Sequence, residues 1–82
     1  MKILKFYSNS CGPCKVLEKN LQEAGVEYDS INITSSSNEG IVTQYNIRSI
    51  PTLIKIDDDG VVIEKKVGVL NVEQIKEFCN GI

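Results

Sequence analysis

Two thiols, Cys11 and Cys14, stand three positions apart in Ser10-Cys11-Gly12-Pro13-Cys14-Lys15, a spacing that can close a small disulfide or open to a reactive dithiol. If a helix begins here, Cys11 lies at its N-terminus, where unpaired N–H groups and the positive end of the macrodipole favour a thiolate. Cys14 then sits about one turn further in, within reach of the first sulfur. Pro13 has no N–H to lose, and its fixed φ suits a first helical turn. Metal chemistry is poorly served by comparison. With no histidine and three cysteines, a tetrahedral zinc site would have to recruit carboxylates from elsewhere. Asp57-Asp58-Asp59-Gly60 lacks the ligand spacing and closing glutamate of a calcium loop, and reads as a solvated turn.

The elements that must position the pair have to come from 82 residues, enough for one small domain, 1–82, with one compact core. Nine Lys plus Arg against eleven Asp plus Glu give a net charge of −2, which offers no basic footprint for nucleic acid. Met1 to Tyr7 is too short for a signal-peptide core and lacks its charged flank, and no run approaches a membrane span. The chain is therefore expected in the cytoplasm, without membrane association. In that reducing setting three cysteines do not make a disulfide scaffold; one pair is functional and Cys79 is left over.

Lys2 to Tyr7 is a mostly apolar run that fits an interior strand buried on both faces, and it leads through Ser8-Asn9-Ser10 into the dithiol. From Pro13 to Ala24 the pattern turns helical, with Leu17, Leu21 and Ala24 on one face and Lys15, Glu18, Lys19, Gln22 and Glu23 away from it. Gly25 supplies the stop. Val26 to Ile33 is expected as a second strand, completing a βαβ unit. Ser36 with Glu39 reads as a capping box for a helix over about 37–45 that buries Ile41, Val42 and Tyr45. Two strands, Thr52 to Ile56 and Val61 to Val67, are joined by the Asp59-Gly60 hairpin step. Asn71 is the expected N-cap of a last helix whose inner face carries Val72, Ile75, Phe78, Cys79 and Ile82. The order is βαβ, α, ββα.

With Phe6, the Cys11-Gly12-Pro13-Cys14-Lys15 run, Asn32, Tyr45 to Thr52, Asp59-Gly60 and Val67 to Leu70 in this succession, the chain resembles the thioredoxin family from its first strand to its last helix. The resemblance implies an α/β thioredoxin-like fold: a four-stranded mixed sheet flanked by three helices, without the additional N-terminal strand and helix of common members. Gly12-Pro13 between the cysteines is the form typical of thioredoxins, and implies a reductant. Cys11 would be the nucleophile and Cys14 the resolving thiol, with no cofactor held by the chain itself. Ile50-Pro51-Thr52 would place a cis-proline opposite the dithiol, with the backbone before it, together with Thr52 and Gly68, receiving the substrate chain like an added strand. The alternative is that Pro51 merely starts an edge strand. The implied partners are protein disulfides, in enzymes such as ribonucleotide reductase, and an NADPH-linked thioredoxin or glutaredoxin-type reductase system; the protein would work as a monomer.

Departures from the family pattern fall beneath the site. Lys5 stands six residues before Cys11, where the family commonly has a buried aspartate that assists proton transfer at the second cysteine, and Ser30 replaces a neighbouring lysine. Ser10 stands where a tryptophan is usual, and Tyr7 at a second aromatic position near the site's floor. Lys5 has two readings. Its stem packs in the strand while the ammonium snorkels to solvent, the commoner fate and the expectation here, or its charge lies under the site and favours a thiolate. Cys79 is expected as a packing residue, and Lys15 and Arg48 as solvated charges that could steer acidic partners. Two other functions stay open: a glutathione-linked, glutaredoxin-type enzyme, and a binding module that keeps the fold without the chemistry.

Overall fold

The structure, a computed structural model, describes residues 1–80. Its elements run β1 (Lys2–Tyr7), α1 (Gly12–Ala24), β2 (Asp29–Asn32), a short 3-10 turn (Ser36–Asn38), α2 (Glu39–Gln44), β3 (Thr52–Ile56), β4 (Val62–Val67) and α3 (Val72–Phe78). The sheet order is β2-β1-β3-β4, with β1 parallel to β2 and antiparallel to β3, and β3 antiparallel to β4. This is the four-stranded mixed sheet with three helices that the sequence implies. Ile82, assigned above to the inner face of the last helix, lies outside the described residues.

β1 and β3 occupy the centre, and the two-residue period of a strand divides their side chains between two apolar layers. On one face Ile3 and Leu53 pack with Leu17 and Leu21 of α1 and Ile75 and Phe78 of α3. On the other, Leu4, Phe6, Ile54 and Ile56 pack with Ile31, and α2 closes over them with Ile41 and Val42. Tyr45 ties this layer to the hairpin. Its ring meets Phe6 edge-on at 6.3 Å, and its hydroxyl donates to the Gly60 carbonyl at 3.2 Å. Gly60 has φ +83°, a conformation glycine adopts without penalty, and Asp57 closes the same turn by accepting from the Asp59 and Val61 N–H groups.

Two expectations need correction. The second strand is shorter than the run Val26 to Ile33: only Asp29–Asn32 pairs with β1. Val26 and Tyr28 are apolar because they pack against the α1/α3 layer, and the Val26 N–H still points back to the Leu21 carbonyl at the helix end. The Ser36/Glu39 capping box does not form, since no side-chain cap bond is made at either the 3-10 turn or α2. Asn32 organises that loop instead, its side-chain oxygen accepting from the N–H and the hydroxyl of Thr34. The capping box of this chain is at α3, where Asn71 and Gln74 exchange side-chain and backbone bonds at 2.8 and 2.9 Å.

The far end of α3 is held by a buried cation. Lys55 of β3 donates to the Phe78 carbonyl at 2.7 Å, lies over the Phe78 ring, and stands 3.9 Å from Glu64, its cross-strand partner. A cation at a helix C-terminus meets the negative end of the dipole and an otherwise unpaired carbonyl. Lys55→Met keeps the apolar stem and removes the donor; it is expected to lower the unfolding free energy in urea by about 1–3 kcal/mol without changing the denaturant slope.

Candidate active site

The loop from the end of β1 delivers the two cysteines to the first turn of α1. Cys11 is the N-cap, in extended backbone conformation (φ −90°, ψ 107°), and its sulfur accepts the Cys14 N–H at 3.1 Å. Sulfur thus takes the place that a serine or aspartate oxygen fills at most helix starts. Pro13 lies in the first turn, where a missing N–H leaves no gap in the ladder. Cys11 and Cys14 are joined as a disulfide, with Cα atoms 5.3 Å apart. Their environments differ: Cys11 is half-buried beside exposed Gly12 and Pro13, whereas Cys14 is 2% exposed.

The remaining expected residues gather at the same end of the sheet. Phe6 pairs with Thr52, so the residue before Thr52 lies level with the loop that carries the cysteines. That residue is Pro51, and the Ile50–Pro51 peptide is cis. Ile50 is half-buried, and Thr52 is buried with its hydroxyl donating to the Ser49 carbonyl at 2.6 Å. The Gly68 N–H, at φ +100°, donates to the Pro51 carbonyl at 2.9 Å, which draws the end of β4 against the proline loop. Val67 and Val69 flank Gly68 and are exposed. Arg48 is exposed and donates to Asn46 within its own turn; Lys15 is also exposed. Cys79 is half-buried against the α1/α3 layer, and burial pushes its thiol up, against a smaller opposing pull from Lys55.

Lys5 departs from the snorkelling expected of it. It is 2% exposed, on the β1 face covered by α1, with β2 on one side and β3 on the other. Its side chain, stem included, is 3% exposed. Its ammonium rests 4.8 Å above the Tyr7 ring and 5.2 Å from that of Tyr28, with Glu18 Oε2 at 3.8 Å. Burial holds Lys5 below the ordinary lysine range, and Glu18 offsets part of that. Lys5, Tyr7, Ser8, Cys14 and Glu18 line one cavity of about 110 Å³. Sequence reasoning missed Glu18 and Tyr28 as members of this group. The spacing of Cys14 and Glu18, four residues apart on one helix face, was the available signal for the first.

The buried cation has a pH signature. Well below its lowered pKa, Lys5 is charged in both folded and unfolded chains, and the folded state bears the whole cost of burying it. As pH rises from that value toward the ordinary one, the folded lysine is neutral while the unfolded one still holds its proton, so stability increases. Lys5→Met is therefore expected to be more stable than wild type by about 1 kcal/mol near neutral pH, with the gap narrowing in urea titrations as the pH rises through the lysine range.

The family model described as Thioredoxin matches residues 1–81. A thioredoxin of Mycoplasmoides gallisepticum is 32% identical over 79 residues, covering 93% of this chain and 78% of the relative. One of Haemophilus influenzae is 33% identical over 82 residues, covering 95% and 76%. Among solved structures, chloroplastic thioredoxin z superposes with a TM-score of 0.75 at 25% identity, over 93% of this chain and 72% of its own. Thioredoxin 1 of Thermosipho africanus shares the fold with a TM-score of 0.72, over 95% of this chain and 93% of its own. With the match running through both cysteines and nearly the whole sequence, this chain belongs to the thioredoxin family and is a protein-disulfide oxidoreductase.

Proposed function

We propose that the protein reduces disulfides in other proteins, with Cys11 as the nucleophile and Cys14 as the resolving thiol. The observation that carries this reading is the asymmetry of the pair. Cys11 sits at a helix N-terminus, where N–H groups and the dipole favour its thiolate, and is open enough to meet a substrate, whereas Cys14 is shielded one turn inside. Reduced Cys11 attacks a substrate sulfur and forms a mixed disulfide, releasing the first substrate thiolate. Cys14 then loses its proton and attacks Cys11, closing the intramolecular disulfide and releasing the second. Two electrons pass from the dithiol to the substrate, and an NADPH-linked reductase returns them. Ile50 offers backbone beside Pro51 for pairing with an extended substrate segment; Gly68 and its flanking valines give that segment a close, apolar neighbour. Thr52 and Tyr7 support the loop and floor from inside, and Gly12 and Pro13 keep the rim low. The reading extends to a monomer working in the cytoplasm. In support, no helix among the described residues is long and apolar enough to cross a membrane, and the pair suits a reducing compartment.

Reduction of insulin by the dithiol form, recycled with thioredoxin reductase and NADPH, tests the activity. Turnover is expected in wild type, loss by at least a hundredfold in Cys11→Ser, and accumulation of a stable mixed disulfide in Cys14→Ser, read by mass spectrometry. Turnover only with glutathione would favour the glutaredoxin-type alternative. Alkylation of the reduced protein by limiting iodoacetamide gives a second check. Label is expected on Cys11 well ahead of Cys14 and Cys79, and equal labelling of Cys11 and Cys14 would remove the assignment of roles.

A further inference from the structure

Cys14 and Lys5 present a combination that the exchange reaction must contend with: a thiol that has to ionise in a place where burial disfavours its anion, and an ammonium shut into the same cavity. Cys14 is 2% exposed, and Lys5 is 2% exposed. Opposite charge in low dielectric interacts far more strongly than at a surface, where solvent and salt screen it. The groups that face this cavity can be named in full from its walls. Lys5 and Tyr7 come from β1, and Lys15 and Glu18 from α1; the Tyr28 ring lies against the ammonium from the segment before β2. Lys15 is exposed, so its charge is screened. The Tyr28 hydroxyl is pushed up by burial and by Glu18, away from the working range of a thiol. That leaves one shielded cation and one carboxylate, 3.8 Å apart, the carboxylate with 47% of its side chain exposed.

We propose that Lys5 and Glu18 act as an opposed pair on Cys14, Lys5 stabilising the thiolate formed in the resolving step and Glu18 holding that effect back. The proposal rests on the redox reading above and deepens it, assigning the electrostatics beneath the resolving thiol to these two side chains. In the step concerned, the Cys14 S–H bond breaks and its proton leaves through the mouth of the cavity to solvent. The Cys14 sulfur bonds to Cys11, the Cys11–substrate bond breaks, and the substrate departs as a thiolate. Lys5 keeps its own proton throughout and acts on Cys14 through space. Glu18 draws on the same cation from the solvent side. Removing either therefore moves Cys14 in opposite directions, and loss of packing alone would not produce that.

The test follows two releases of a coloured thiolate when the reduced protein meets an excess of an aromatic disulfide in stopped flow. The first, proportional to reagent concentration, reports attack by Cys11; the second, independent of it, reports resolution by Cys14. In Lys5→Met the pH midpoint of the second release is expected to rise by about one unit or more, the size typical of losing a close opposite charge, while Lys5→Arg holds it near wild type. In Glu18→Gln it is expected to fall, by less, because Glu18 is half in water. Glu23→Gln, the same charge change at an exposed position of the same helix, is expected to leave it in place. Circular dichroism and urea midpoints establish that each variant is folded. An unmoved midpoint in Lys5→Met, or shifts of the same sign in Lys5→Met and Glu18→Gln, overturns the proposal while leaving the redox reading intact. A wild type that gives no first release removes the redox reading and this proposal with it.

Discussion

Everything in this fold leans on the enclosure of β1. A small chain has little interior, and this one spends much of it on β1 and β3, the two strands paired on both edges between two apolar layers. Ile3 belongs to one apolar layer and Leu4 and Phe6 to the other. Shifting β1 by one residue would exchange the layers and carry Leu4 and Phe6 toward α1, so its register is fixed by the same contacts that stabilise the domain. The loop carrying the cysteines leaves the end of this enclosed strand. A dithiol that must meet a substrate sulfur in line is thereby mounted on a rigid support, while the residues around it stay near the surface.

The same enclosure makes Lys5 unusual. A lysine on an edge strand would reach water; on a strand with neighbours on both sides, under a helix, the side chain of Lys5 is left almost wholly covered. Its charge is met by two aromatic faces and one carboxylate, an arrangement whose net contribution to stability is unfavourable or small. Lys55 shows the alternative fate of a buried cation in this sheet. It terminates a helix and satisfies a carbonyl, so its burial serves the fold directly, whereas that of Lys5 borders the reactive pair.

Much of this was legible in the residues, and the reasons for the exceptions are physical. β1, α1, β3 and α3 were readable because each carries a dense apolar pattern whose period matches its geometry, and because Gly25 and Asn71 mark ends in chemically distinct ways. β2 was overextended because periodicity reports burial and not pairing: Val26 and Tyr28 are partly buried against the α1/α3 layer before the ladder starts. The loop after it was misassigned because Ser36 and Glu39 satisfy a local pattern that competes with Asn32, which already holds the turn. At the site, the cysteines and Pro51 announced themselves by type and spacing. Lys5 was placed beneath the site by its position before Cys11, but its meeting with Glu18 was not readable, since it depends on how α1 crosses the sheet, a long-range fact that no short window of sequence contains.

The sulfur cap on α1 couples two properties usually considered apart. In the oxidised form the cap is a neutral disulfide sulfur that accepts the Cys14 N–H; on reduction the same atom becomes free to carry negative charge at the positive end of the helix. Folding and electron transfer then form a closed thermodynamic cycle. Whatever free energy the thiolate contributes to the start of α1 in the folded chain appears, with the same magnitude, as a difference in how strongly the folded and unfolded chains hold their electrons. The first turn of α1 is thus a place where the stability of a helix is converted into reducing tendency, and a substitution that alters only that turn would be felt as a change in electrochemistry.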